Sequence, residues 1–294
     1  MAVATLPSWL QVRGRVVRQR PSSAGHFWLE IDLPVEFHRP EPGQFVQLML
    51  EVPSPVFLPR PMSVAGVVTG ARGRRLAFLY QPIGAGTQAL AALAPGAHVE
   101  VLGPLGRGFP LERPGMPLLV AGGRGVAPLL FAAERLADRG RSFTFLFGAR
   151  DRAHLVELAE TRRRLARAGG RLHTATDDGS AGLHGNVIQL LERIEPTVPR
   201  PLVIHACGPH AMLAAVARWA MAREALAFVA MESVMACGTG VCRGCPLPRS
   251  EAGRRRYRRE HGNVPSLLGN RDFAMTCTEG PVFEARELDW EHVG

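Results

Sequence analysis

The 294-residue sequence predicts a β barrel plus α/β architecture in three parts. Residues 1–112 read as a small antiparallel barrel, 113–231 as a doubly wound parallel sheet, and 232–294 as a cysteine-bearing segment. Three observations carry this reading. The first part holds six short apolar or alternating runs with Pro or Gly in nearly every gap. From Pro117 the runs are apolar throughout and alternate with helix-period segments, the signature of strands covered on both faces. From about Glu232 neither period survives, and four of the five cysteines lie there.

The barrel strands are expected at Val12–Val17, Phe27–Leu33, Phe45–Leu50, Ser63–Val68, Leu76–Tyr80 and His98–Leu102, with a single helix at Thr87–Leu93. Short strands at this spacing suggest a closed antiparallel barrel. The parallel strands are expected at Leu118–Ala121, Phe143–Phe147, Leu172–Thr176, Leu202–Ala206 and Leu226–Met231. Helices are expected between them at Ala127–Arg139, Leu155–Ala168, Asn186–Glu192 and Ala211–Arg223. Sheets of this kind bind ligands beyond the carboxyl ends of their strands, so the loops after Ala121, Phe147, Thr176 and Ala206 are the places to search.

Composition narrows the chemistry. A hydrophobic content of 46% with 21% charge is ordinary for a soluble globular chain of two or three domains. All 35 basic residues are Arg, which excludes a Schiff-base lysine, a lysine general base and a Walker-type phosphate lysine. The net charge of +9 does not read as a nucleic-acid footprint, because Tyr257 is the lone aromatic in the basic run. The start MAVATLPSWLQVRGR lacks a basic stretch followed by an apolar core, and no run approaches a membrane span, so neither secretion nor membrane insertion is expected. An odd number of cysteines, three of them within Cys237–Cys245, points to a metal or redox site in a reducing, cytoplasmic setting rather than a disulfide framework.

Those three, in C-G-T-G-V-C-R-G-C, give C-x4-C-x2-C, with Cys277 following after 31 intervening residues. This is the plant-type order for a [2Fe–2S] cluster, with Cys237, Cys242, Cys245 and Cys277 as ligands. Gly238, Gly240 and Gly244 suit a loop that brings backbone N–H groups onto sulfur. The alternative, structural zinc, more often takes paired C-x2-C knuckles. The Arg-rich stretch between Cys245 and Cys277 reads as a docking patch for an acidic partner, as a moderator of the anionic cluster's potential, or as a solvated loop.

Nucleotide signals lie at the expected strand ends. A-G-G-R-G-V-A-P, Ala121–Pro128, follows the first parallel strand, where Gly122, Gly123 and Gly125 allow a pyrophosphate to approach a helix N-terminus. A-C-G-P-H, with Cys207, Gly208 and Pro209, ends a later strand. In the barrel, R-P-M-S (Arg60, Pro61, Met62, Ser63) and G-A-G-T (with Gly86 and Thr87) together suit one anionic dinucleotide.

Barrel, Gly-loop sheet and C-terminal cysteines, in that order, resemble the ferredoxin–NAD(P) reductase superfamily. Within it the chain resembles the electron-transfer subunits of two-component, NAD-linked dihydroorotate dehydrogenases. The resemblance rests on R-P-M-S, L-Y-Q…G-A-G-T, G-P-L-G-R-G-F-P-L (Gly103–Leu111), A-G-G-R-G-V-A-P-L-L, F-G-A-R, T-D-D-G-S, A-C-G-P-H-A-M-L, M-A-C-G-T-G-V-C-R-G-C and C-T-E-G-P-V-F, and runs across nearly the whole chain. It implies FAD on Arg60, Pro61, Met62, Ser63, Leu79, Tyr80, Gln81, Gly86 and Thr87. It implies NAD on Gly122, Gly123, Gly125 and the Cys207–Gly208–Pro209 turn, with Cys207 near the nicotinamide, and a [2Fe–2S] cluster on the four tail cysteines. It further implies a partner catalytic subunit whose FMN takes electrons from dihydroorotate in pyrimidine (UMP) biosynthesis, in a heterotetramer of two chains of each kind. The cluster would relay those electrons singly to FAD, which passes hydride to NAD+. No catalytic side chain is expected, and the chain alone is not expected to oxidise dihydroorotate. The alternatives are a reductase subunit for a sulfur, hydrogen or ferredoxin acceptor, and a redox sensor without turnover.

Three departures stand out. Met62 occupies a position where relatives often carry an aromatic. Arg124 replaces a small or aliphatic residue of the Gly loop and either pairs with the NAD pyrophosphate or faces solvent. The Arg-rich stretch is longer than the family's usual spacing. Arg150 and Arg152, after the second parallel strand, sit where a 2′-phosphate would lie, whereas the resemblance implies NAD.

Overall fold

The computed structural model describes residues 9–51, 56–71, 73–262 and 271–293; the N-terminal stretch read for a leader lies largely outside them. In the first part the strands are β1 (Leu10–Pro21), β2 (Phe27–Leu33), β3 (Phe45–Leu50), β4 (Arg60–Ser63), β5 (Gly66–Gly70), β6 (Gly73–Tyr80) and β7 (His98–Leu105), with α1 (Ala85–Ala91) before β7. They form one sheet in the order β4-β3-β7-β1-β2-β6-β5, every pairing antiparallel. Val16, Leu29, Ile31, Val46, Leu48, Phe78, Val99 and Val101 fill its concave side. A register shift between Val16 and Arg18 bends the long β1 around that core.

The expected closed barrel is instead a half-barrel, and the run Ser63–Val68 is two strands. At the junction Val64 N–H donates to Gln44 O at 3.2 Å while Ala65 N–H donates to Ala77 O at 2.8 Å. The chain therefore steps from the β3 side to the β6 side within two residues, so β4 and β5 end the sheet at opposite edges. The core is completed from outside it, by Phe131 of the nucleotide part, which packs among the barrel's apolar residues.

The second sheet runs β11-β10-β9-β8-β12-β13-β16. Its strands are β8 (Met116–Gly122), β9 (Thr144–Ala149), β10 (Arg171–Thr176), β11 (Leu183–His184), β12 (Leu202–Cys207), β13 (Leu226–Ala230) and β16 (Val282–Glu284). The first six are mutually parallel, and α2 (Val126–Asp138), α3 (Leu158–Arg167), α4 (Val187–Ile194) and α5 (His210–Met221) cover the two faces. β16 comes from the tail and adds antiparallel to β13. The tail also holds a short pair, β14 (Pro246–Pro248) with β15 (Phe273–Met275), and α6 (Glu251–His261).

α6 is the Arg-rich stretch, which shows no helical apolar stripe because it has almost none to show. Gly253 is its one buried residue, pressed so close to Glu287 that a Cβ would stand 2.3 Å from the carbonyl oxygen. A Ser250 cap accepting from Gly253 N–H at 3.1 Å and ion pairs such as Arg256–Glu260 (2.8 Å) support the helix instead. α3 starts three residues later than expected. Glu157 turns left-handed (φ 57) and carries its carboxylate back to Arg20, which donates to both oxygens at 2.8 and 2.7 Å. That fork joins the barrel to the nucleotide part. Beside it, Trp28, Ala65 and Leu79 of the barrel share an apolar core with α2.

Candidate functional site: two joined clefts and a thiol quartet

The two sheets meet along a cleft of about 430 Å³. From the barrel it is lined by Pro61, Met62, Ser63, Leu79, Tyr80, Gln81 and Thr87; from the nucleotide part by Gly122, Gly123, Gly125, Cys207, Gly208 and Pro209. Arg60 and Gly86 sit just behind this wall and touch: a Cβ on Gly86 would stand 3.2 Å from Arg60 Cδ and Nε. Arg60 Nη2 donates to Leu58 O at 2.8 Å, but its Nε is buried with no partner among the described residues. An orphaned guanidinium N–H beside a glycine is a fit for an anionic group.

Tyr80 is fixed from behind. Its hydroxyl donates to Gln19 Oε1 at 3.0 Å, and Gln19 Nε2 donates to the carbonyls of Leu90, Ala91 and Leu93 at the end of α1. Burial pushes the Tyr80 phenol above its ordinary range, so it is a neutral donor. On the other wall, the Gly loop and the Cys207 turn meet backbone to backbone. A Cβ on Gly125 would stand 2.1 Å from Cys207 O, and one on Gly122 would stand 2.5 Å from Met212 Sδ. Burial pushes the Cys207 thiol up to about 12, which leaves it an uncharged surface at the cleft. Arg124 is exposed at the cleft, and its guanidinium there pairs with the carboxylate of Glu232 at 3.0 Å; both line the cleft.

A second cleft of about 720 Å³ shares His26, Gln81, Gly122, Gly123, His154 and Pro209 with the first and continues over Gly148, Arg150, Asp177 and Asn186, beyond the ends of β9 and β10. Arg150 lines it; Arg152 lines a separate, charged cleft beside Arg20 and Glu157. His26, Ile83, His154, Val156 and Glu232 are cleft residues that the motifs did not indicate. His26 follows a turn with Ala24 and Gly25 both left-handed (φ 52 and 70), and a turn signal says nothing about the surface it faces.

The tail thiols form two pairs. Cys245 and Cys277 are buried with their sulfurs 3.3 Å apart, while Cys237 accepts from the backbone N–H groups of Thr239 and Cys242, each at 3.4 Å. Burial pushes the Cys237 thiol up, but those donors outweigh it and bring it down to about 6. The hydrogen-bonded contact with Cys277 likewise lowers the Cys245 thiol. Gly238 and Gly240 take left-handed φ of 74 and 85, which lets the loop aim its N–H groups inward. A four-sulfur zinc site, with Zn–S near 2.3 Å, would hold all its sulfurs roughly 3.8 Å apart. Among the described residues the group of three such ligand atoms within 4.8 Å of one another is instead Asp289, Glu291 and His292, at the exposed C-terminal end. No three of the four thiol sulfurs lie that close among the described residues. Phe45 and Leu105 of the barrel pack against Cys245 and Cys277, so the quartet rests on the outer face of β3 and β7.

Among the described residues no helix is long and apolar enough to cross a membrane. Residues 119–218 match the oxidoreductase NAD-binding domain. The chain is 33% identical to the dihydroorotate dehydrogenase B (NAD(+)) electron transfer subunit of Shouchella clausii over 95% of this chain and 98% of that protein. It is 32% identical to the subunit of the same name from Desulforamulus reducens, over 90% and 93%. In structure it is similar to an NADH-dependent reduced ferredoxin–NADP oxidoreductase studied for flavin-based electron bifurcation, with a TM-score of 0.77, 25% identity and coverage of 100% and 93%. The FAD/NAD-binding domain of a Vibrio cholerae nitric oxide dioxygenase shares the fold, with a TM-score of 0.62, 19% identity and coverage of 73% and 94%. The half-barrel and parallel sheet are thus a ferredoxin reductase-like pair, and the chain belongs to the family of electron transfer subunits of NAD(+)-dependent dihydroorotate dehydrogenase B.

Proposed function

We infer that this chain carries electrons from the FMN of a dihydroorotate dehydrogenase catalytic subunit to NAD+, within a heterotetramer of two chains of each kind and in the cytoplasmic synthesis of pyrimidines. The observation that carries the reading is the shared wall. Pro61 on β4 lines the 430 Å³ cleft, its cross-strand partner Gln47 on β3 lies against Gly238 of the cysteine loop, and Cys242 of the same loop is exposed. A donor docking at Cys242 would reach the cleft through the quartet.

FAD supplies hydride exchange with NAD and a [2Fe–2S] cluster supplies one-electron transfer. The protein's part is placement. Arg60, Ser63 and Thr87 would hold the flavin's phosphates and ring edge, and Met62 and Tyr80 would pack it. Gly122, Gly123 and Gly125 admit the NAD pyrophosphate, and Cys207–Pro209 would set the nicotinamide against the flavin without offering a charge. Cys237, Cys242, Cys245 and Cys277 would hold the cluster, with loop N–H groups donating to their sulfurs.

The test is reconstitution. The chain mixed with its FMN-containing catalytic subunit should form orotate from dihydroorotate with NAD+ as acceptor, and neither subunit should do so alone. Orotate formation by this chain alone, or no NAD+ dependence in the mixture, overturns the reading. The full-length likeness to the ferredoxin–NADP oxidoreductase favours a second reading, with ferredoxin as the acceptor. NADH-driven ferredoxin reduction by the single chain would support that one.

A further inference from the structure

β3, F-V-Q-L-M-L, carries one polar side chain, and the fold seals it. Strand alternation sends Val46 and Leu48 into the barrel core and Phe45 and Gln47 to the opposite face, under the cysteine loop. Gln47 is 0% exposed, and neither its Nε2 nor its Oε1 has a hydrogen-bond partner among the described residues. Fully buried carboxamides are ordinarily paired, so an empty one marks a group that the fold leaves for something else.

Its neighbours say what. A Cβ on Gly238 would stand 2.9 Å from Gln47 Nε2 and 2.8 Å from its Cγ, so the amide lies directly against the residue after Cys237. Phe45, two residues earlier on the same face, packs with Cys245 and Cys277. On the other side the register partner of Gln47 is Pro61, which lines the flavin cleft.

We propose that Gln47 is a positioning residue that donates its amide N–H to a sulfur on the Cys237 side of the metal centre and thereby sets that centre's potential relative to the flavin. The proposal rests on the [2Fe–2S] reading of the quartet. A donor on sulfur stabilises the reduced cluster, which carries one more negative charge, more than the oxidised one. The amide is thus costly in the cluster-free chain and satisfied in the loaded one.

The experiment compares wild type, Gln47→Met, which keeps length and removes the donor, and Gln47→His, which restores an N–H, as iron-loaded full chains in redox titrations followed by electron paramagnetic resonance. At the wild-type midpoint, the ratio of reduced to oxidised cluster in Gln47→Met should fall about tenfold, 59 mV for one electron, with the flavin midpoint unmoved and part of the shift recovered in Gln47→His. A change under twofold in Gln47→Met overturns the proposal. Cluster-free Gln47→Met should also melt above the cluster-free wild type, since it loses an unpaired buried amide; an equal or lower melting temperature overturns the proposal even where the variant holds no iron. Absence of iron and sulfide from the reconstituted wild type removes the cluster reading itself, a result separate from both.

Discussion

Gly125 and Cys207 touch through their backbones: a Cβ on Gly125 would stand 2.1 Å from the Cys207 carbonyl oxygen, 2.4 Å from its carbon and 2.7 Å from Gly208 N. No side-chain rotation relieves contacts with main-chain atoms. Gly125→Ala must therefore push α2 and the Cys207 turn apart. We expect a loss of about 2–4 kcal/mol in unfolding free energy and at least a tenfold slower flavin reduction by NADH, read by chemical denaturation and stopped-flow absorbance.

Arg124 and Glu232 form an exposed pair at the cleft, with side chains 43% and 73% accessible. Such a pair contributes at most about 1 kcal/mol to stability. Its consequence should appear in binding, because the pair holds a cation of the Gly loop away from an incoming pyrophosphate. Glu232→Gln should tighten NADH several-fold and Arg124→Ala should weaken it, with melting temperatures nearly unchanged; equilibrium titration of the flavin-loaded chain reads both.

His205 lies between Phe109 (5.5 Å, edge-on) and Phe228 (5.7 Å, stacked), with Nδ1 unpartnered among the described residues. Burial, with Arg141 adding to it, pushes its pKa down to about 3. The unfolded chain takes up this proton near pH 6.5 and the folded chain does not. The neutral imidazole's contribution is therefore complete above pH 6.5 and falls as pH drops toward 3, by up to about 1.4 kcal/mol per unit. His205→Leu should flatten the stability profile between pH 6.5 and 4 while leaving it near wild type at pH 7.5, as measured by urea unfolding across pH.

The Arg20–Glu157 fork joins the two halves, and the Glu157 carboxylate is 7% exposed. Glu157→Ala leaves Arg20 half-buried and unpaired and removes the acceptor of Ser22. We expect a loss of about 2–3 kcal/mol, short of the 3–5 kcal/mol typical of a fully buried pair because Arg20 is 32% exposed, read by thermal unfolding.

Periodicity made the nucleotide sheet legible because its central strands β8, β9, β12 and β13 are largely apolar and buried on both faces and its covering helices carry apolar stripes. The same signal failed for α6, whose stability comes from a cap and ion pairs, and for β16, a three-residue strand defined by the edge it joins. The split at Val64–Ala65 was also hidden: both residues are apolar, and only their hydrogen bonds, to Gln44 and Ala77, show that the chain changes sides. At the site, short motifs placed the Gly loop, the Cys207 turn and the R-P-M-S strand on one cleft. Glu232 and His26 reach it from turns with no motif of their own, and Gln47 reads in sequence as one polar residue in an apolar strand.

The proposed function requires cleft and quartet to act as one relay. The most direct test is an anaerobic NADH titration of the flavin- and iron-loaded single chain, followed by flavin absorbance and electron paramagnetic resonance. Flavin absorbance should bleach, and the paramagnetic signal of reduced [2Fe–2S] should then rise, as NADH is added. Flavin that stays oxidised, or bleached flavin beside iron that never becomes reduced, contradicts the relay.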